Sequence, residues 1–336
     1  MTHIPFYSDS IPIVFSTNDY FVPYMSTAMQ SIMENADQNR QYVFYIFYQK
    51  IADENIRLLT EQTSFFRQFS IEFINVALYI SKYNLFTSRH ITVESYFRLL
   101  IPGLLSQYQK AIYLDGDIIC NTDIASLFDI DMENNLIAAV RDTGVSWYYS
   151  PKHSKKMKNM HTVLLNLKKP DKYFCAAMTI INIELFHKTI TTEKLLEFAA
   201  SREWQIHDQD VMNVLSEGKT LLLPYCWNFM STPDAKYLPE HLKKEYDEAG
   251  KNPKIVHYKP WDSYFYMQHF ECFWKYATRT PFINIIVEQM NSKKLIPNSS
   301  FALHEVVIDN ITHRKGIGIR FLLIDCIKAW LFRDKL

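Results

Sequence analysis

The chain has 336 residues, 48% of them hydrophobic, with 36 basic and 36 acidic side chains. Zero formal charge leaves no global field directed at nucleic acid, and the apolar content suffices for one large α/β domain or about two smaller ones. Cys120, Cys175, Cys226, Cys272 and Cys326 form no C-x-x-C, which excludes a zinc knuckle or disulfide framework and fits a reducing, cytosolic setting. The N-terminus lacks the marks of a signal peptide, no run is long and apolar enough to suggest a membrane span, and no G-x-G-x-x-G occurs. "EGKT" at 217–220 lacks the first glycine of a P-loop and reads as a turn.

In chain order, "IPIVFST" (11–17) predicts a buried strand ending in polar residues, and 20–36 has apolar residues at helical spacing. A strand over 41–48, a helix over 53–69 with Asp53 as N-cap, and a strand over 71–76 follow. Residues 92–105 read as helical until Pro102, and "AIYLDGDII" (111–119) as a fourth strand. Strand and helix alternate, which predicts βαβ units and a mostly parallel sheet flanked by helices. Its ligand crevice belongs beyond the carboxyl ends of the strands, where "FSTND" and "LDGD" both fall. The second half predicts strands at 136–142, 173–183 and 255–258, and one helix over 184–200. The charged stretch 236–254 reads as a solvated loop.

The apolar run Ala111–Leu114 leads straight into Asp115, Gly116 and Asp117. Residues i and i+2 of an extended chain face one side, and Gly116 permits a bend and close approach of a ligand. Two carboxylates there can hold a hard cation, Mg²⁺ or Mn²⁺, with diphosphate oxygens completing its shell. A D-G-D turn exposed to solvent is the alternative. His257 in "IVHYKPW" can supply a third ligand or serve as a structural histidine. "HDQD" (207–210) offers further acceptors, with Asp208 also placed to cap a helix.

Taken together, "IPIVFSTNDYFVPYMSTAMQSI", "HITVESYFRLLIPGLL", "KAIYLDGDIICNTDIASLFDID", "AAVRD", "YFCAAMTIINI", "HDQDVMN" and "VHYKPW" resemble glycosyltransferase family 8, in particular bacterial α-galactosyl- and glucosyltransferases of lipopolysaccharide and other surface glycans. The resemblance implies a GT-A, Rossmann-like α/β fold and metal-dependent, retaining transfer of galactose or glucose from a UDP-sugar to a glycan acceptor. It implies that Asp115, Asp117 and His257 bind Mn²⁺ or Mg²⁺, and that Ser16, Thr17, Asn18 and Tyr20 hold the uridine. Arg98, Gly116 and Lys259 then lie along the diphosphate, Asp142 and Asp208 on donor hydroxyls, and Gln209 beneath the anomeric carbon. Family members usually read Asn-Ala/Ser-Gly where this chain has Cys175-Ala176-Ala177, which removes an amide expected near the sugar.

Two other classes compete with this reading. A haloacid-dehalogenase-type phosphatase also places D-x-D after an apolar strand, with the first Asp as nucleophile. A sugar-nucleotide-binding relic would accommodate the altered 175–177 segment. The expected organisation is a catalytic domain over 1–280 and a helical, basic extension over 281–336. Residues 312–336 carry six basic and two acidic side chains around "FLLIDCIKAWLF", a pattern suited to the cytoplasmic face of a membrane or to packing on the body of the protein.

Overall fold

The computed structural model describes residues 5–88, 92–258 and 268–292. The first half alternates β1 (Ser10–Ser16), α1 (Val22–Asn35), β2 (Gln41–Tyr48), α2 (Asp53–Ser64) and β3 (Phe69–Asn75), followed by β4 (Lys110–Leu114) and β5 (Ile118–Cys120). The second half supplies β6 (Ile137–Arg141), β7 (Phe174–Asn182), β8 (Thr220–Leu223) and β9 (Ile255–His257). A seven-stranded sheet has the order β3-β2-β1-β4-β7-β6-β8, and β5 and β9 form a separate two-stranded sheet. All neighbours in the large sheet are parallel except β7, which runs antiparallel to both β4 and β6. Continuous apolar runs suit strands covered on both faces, and β1, β2 and β7 are buried along nearly their whole length.

Several local expectations change. "AIYLDGDII" is not one strand: the chain leaves the large sheet after Leu114 and enters the small one at Ile118. At Gly116 on that passage a Cβ would lie 3.2 Å from Met25 Cβ and 3.3 Å from Met25 Cα on α1, a tight contact that glycine avoids. The close approach seen at Gly116 is that of a helix.

α2 ends at Ser64, and Asp53 sits in its first turn rather than capping it. The Ala52 N–H at its N-terminus donates instead to Asp19 Oδ1 at 2.7 Å, so that carboxylate comes from the loop after β1. Residues 93–100 form a 3₁₀ helix, and Pro102 occupies the first turn of a new short helix, where its missing N–H leaves no bond unmade. The single helix expected over 184–200 is two, Ile183–Thr189 and Thr192–Ala200, the second capped by Thr191. Within the expected loop 236–254 lies the amphipathic helix Glu240–Ala249, with Leu242, Tyr246 and Ala249 turned into the core. The strand β8 was not foreseen. "EGKT" forms the turn that leads into it, with Gly218 at φ +80°.

A second core lies beside the main one. Tyr24, Ile119, Val256, Tyr258, Phe273, Trp274, Ile283, Ile286 and Met290 are buried together. The helix Ile283–Ser292 is thus packed through Ile283, Ile286 and Met290. Residues 293–336, with the basic tail, lie outside the described residues.

Candidate active site

Topology gathers the polar residues at one edge of the large sheet. β1, β4 and β6 run in the same direction, so Ser16, Asp115 and Asp142 all follow carboxyl ends; β7 runs oppositely, so its first residues meet them there. The register Val14↔Tyr113 puts Ser16 level with Asp115. His257 arrives through the small sheet, where it pairs with Ile118, and the Tyr258 N–H donates to the Asp117 carbonyl at 3.0 Å. That pairing sets the imidazole next to the second aspartate.

Ligand atoms of Asp115, Asp117 and His257 lie within 4.8 Å of one another. The 115–117 segment is a turn rather than extended chain, so the carboxylates converge by bending, not by strand alternation. Among the described residues Asp117 Oδ1 is buried without a hydrogen-bond donor, 3.6 Å from His257 Nε2. A buried carboxylate oxygen with no donor is unfavourable unless an ion completes it. Two carboxylates and an imidazole suit Mn²⁺, and the oxygens suit Mg²⁺; the residues present fit such a cation. Burial alone would depress the His257 imidazole, but the Asp117 carboxylate close by and Cys175 on the other side outweigh it and raise the pKa to about 10.

Arg98, 4% exposed, links the acid pair to the 207–210 segment. Its Nη2 donates to Asp115 Oδ1 at 2.8 Å, its Nε lies 2.9 Å from Asp208 Oδ2, and its Nε and Nη1 also donate to the carbonyls of Ser95 and Ala176. The guanidinium stacks 4.1 Å over the Tyr113 ring, and the Tyr113 hydroxyl donates to Asp115 Oδ1 at 3.0 Å. Sequence reasoning missed Tyr113, although it stands only two residues before Asp115, next to the end of β4. Burial raises the Asp208 pKa to about 6, opposed by Arg98 and assisted by Asp115.

Asp208 and Gln209 lie in the first turn of the helix His207–Leu215, and neither caps it. His207 before them adopts φ +46°, a conformation that is uncommon for a side chain other than glycine. Gln209 is a brace: its Oε1 accepts the Ala176 N–H at 3.0 Å, and its Nε2 donates to Asp142 Oδ2 at 2.8 Å. Asp142 Oδ1 accepts the Gly144 N–H at 2.7 Å, capping the 3₁₀ helix that follows.

The backbone groups of Ala176 are available because β7 slips its register against β6 between Ala139 and Val140. Ala176 therefore bonds Gln209 with its N–H and Arg98 with its carbonyl. Asn213 reinforces the contact, with Oδ1 on Phe174 N–H and Nδ2 on Phe174 carbonyl.

At the end of β1, Thr17 is buried and Tyr20 is 37% exposed. Asn18 Oδ1 accepts the Tyr20 N–H at 3.1 Å, so that oxygen shapes the loop. Lys259 lies outside the described residues.

This sheet order, with β4 leaving the large sheet at an acid pair to enter a second sheet, is that of the GT-A fold. The chain is similar to the galactosyltransferase LgtC solved with donor and acceptor sugar analogues, with a TM-score of 0.64 at 19% identity over 81% of this chain and 96% of that one. The chain belongs to glycosyl transferase family 8, whose model matches residues 12–264. It is 30% identical over 264 residues to General stress protein A of Bacillus subtilis, covering 75% of this chain and 87% of that protein. It is 28% identical over 174 residues to the lipopolysaccharide 1,2-glucosyltransferase of Escherichia coli, covering 49% of this chain and 48% of that protein. The phosphatase alternative falls with this membership.

Proposed function

We propose that the protein transfers a hexose, galactose or glucose, from a UDP-sugar to a glycan hydroxyl with retention of configuration, in the synthesis of a surface polysaccharide or lipopolysaccharide. The observation that carries this reading is the convergence of Asp115, Asp117 and His257 within 4.8 Å beside the Arg98 network. Similarity to proteins described as a galactosyltransferase and a lipopolysaccharide glucosyltransferase supports the choice of sugar and product.

In this reading Asp115, Asp117 and His257 hold Mn²⁺ or Mg²⁺, which when bound offsets charge developing on the departing diphosphate. Ser16, Thr17, Asn18 and Tyr20 receive the uridine, and Lys259 the diphosphate. Asp142 and Asp208 accept hydrogen bonds from donor hydroxyls and orient the anomeric carbon. Arg98 fixes Asp115 and Asp208 from behind. Gln209 is a poor nucleophile: it is neutral, and its carbonyl oxygen already accepts the Ala176 N–H. Acceptor attack on the face that the diphosphate leaves therefore fits this site better than a covalent intermediate on Gln209.

Against the relic reading, the 175–177 segment still serves the site through the backbone of Ala176. We place the enzyme in the cytoplasm, on the inner membrane surface through residues 312–336, where lipid-linked acceptors would be met. The test is hydrolysis of UDP-galactose against UDP-glucose with Mn²⁺ or Mg²⁺, in the parent and in Asp117→Asn. One donor should be consumed in a metal-dependent way, and the substitution should lower the rate at least a hundredfold. Full activity in the variant overturns the metal assignment.

A further inference from the structure

His257 is 2% exposed and has a partner on each side of its ring. Nε2 faces Asp117 Oδ1 at 3.6 Å, and Nδ1 lies 3.9 Å from the Sγ of Cys175, which is itself 2% exposed. A neutral imidazole carries one N–H and one lone pair. If Nε2 gives its lone pair to a cation, the proton must sit on Nδ1, where it points at sulfur. Metal-binding histidines usually donate that second N–H to a carboxylate, a backbone carbonyl or water, and this partner fixes both tautomer and ring angle.

We propose that Cys175 is the positioning residue for His257: its sulfur accepts the Nδ1–H and holds the Nε2 lone pair on the Asp115–Asp117 pair. The inference rests on the reading of His257 as a metal ligand. It gives the altered 175–177 segment a role in cation binding instead of contact with the sugar. The fold favours it. Cys175 is the β7 residue paired with Val140 where the β6–β7 register shifts, and the neighbouring Ala176 is anchored by Gln209 and Arg98. The sulfur is thus held against the ring by the same backbone that supports the rest of the site. Sulfur is a weak acceptor, so a stronger acceptor at 175 should tighten cation binding, and loss of any acceptor should loosen it.

Three substitutions separate this role from packing. Cys175→Val keeps much of the volume without an acceptor, Cys175→Ala removes both, and Cys175→Asn offers an amide oxygen that reaches further than a thiol. Mn²⁺ affinity is read by electron paramagnetic resonance titration at saturating UDP. The histidine tautomer is read from ¹⁵N-histidine spectra with Mg²⁺ in place of Mn²⁺.

Val and Ala should each weaken Mn²⁺ binding by about tenfold, the low end for partners of this kind. In both, the Nδ1–H resonance should move upfield of the parent's, because the proton stays on Nδ1 while a cation holds Nε2 but has lost its acceptor. Asn should bind at least as tightly as the parent and keep the Nδ1–H resonance downfield. Affinity and Nδ1–H resonance unchanged across the series would overturn the inference while leaving the metal site standing. Absence of Mn²⁺ binding by the parent would overturn the metal reading and this inference with it. If Val does not fold, the Ala and Asn variants give the same comparison.

Discussion

Arg98 has no residue type that could replace it. One buried guanidinium donates to two backbone carbonyls and to Asp115, pairs with Asp208 and covers the Tyr113 ring. A lysine keeps the charge but has no planar fork, so it cannot serve these directions together. Removing one partner from a buried pair costs roughly 3–5 kcal/mol; retained charge should hold Arg98→Lys to about 2–3 kcal/mol, read by urea unfolding. Sugar-nucleotide hydrolysis should fall more than tenfold, since Asp115 loses its anchor. Combining the change with Asp208→Asn should cost less than the sum of the single changes, because the neutral amide no longer needs the full cation. Simple additivity would mean that Arg98 and Asp208 act independently.

At the level of elements, the sequence was most legible where hydrophobic periodicity alone decides. β1, β2, β6, β7 and α1 fall within a residue or two of their expected bounds. It was least legible where a distant residue settles a local choice. Asp19 supplies the carboxylate at the N-terminus of α2 from the previous loop, which no window around Asp53 contains. The helix Glu240–Ala249 was hidden because its sequence is mostly charged and only its packed stripe is apolar.

The candidate site followed the same division. Strand ends marked "FSTND" and the Asp115–Asp117 pair, and Asp142 entered only through the family resemblance, whereas the Gln209–Asp142 brace and the sulfur beside His257 depend on how β7 meets β6 and β9. The D-G-D triplet lies between these cases, since its hinge depends on α1. Gly116→Ala should press on the Met25 backbone and cost about 1–3 kcal/mol as an overpacked contact. It should also loosen Mn²⁺ binding, because the same hinge aims both carboxylates. A stability loss with unchanged Mn²⁺ affinity would separate the hinge from the site.

For the whole molecule, acid stability should reflect two buried groups of opposite sign. His161 is fully buried and stacked 4.2 Å from Tyr173, and burial lowers its pKa from 6.5 to about 4. Its ring is neutral in the native state and charges more readily when unfolded, so its stabilisation is present above pH 6.5 and is lost as pH falls toward 4. Asp208 behaves in reverse. Its native pKa is about 6 against an ordinary 3.8, so its contribution is fully present below pH 3.8 and is lost as pH rises through 6.

Over pH 7 to 5, each linkage is worth about 1–2 kcal/mol. Relative to the parent, His161→Phe should therefore lose less stability on acidification, and Asp208→Asn should lose more, in urea melts at pH 7, 6 and 5. The constant offset from breaking the Arg98 pair does not affect the comparison, which is of slopes. Slopes that change in the same direction for both variants would contradict the assigned signs. Activity adds an independent arm. If ionised Asp208 holds a donor hydroxyl, turnover of the folded parent should fall below about pH 6. The Asn variant, slower throughout, should lack that limb of the profile.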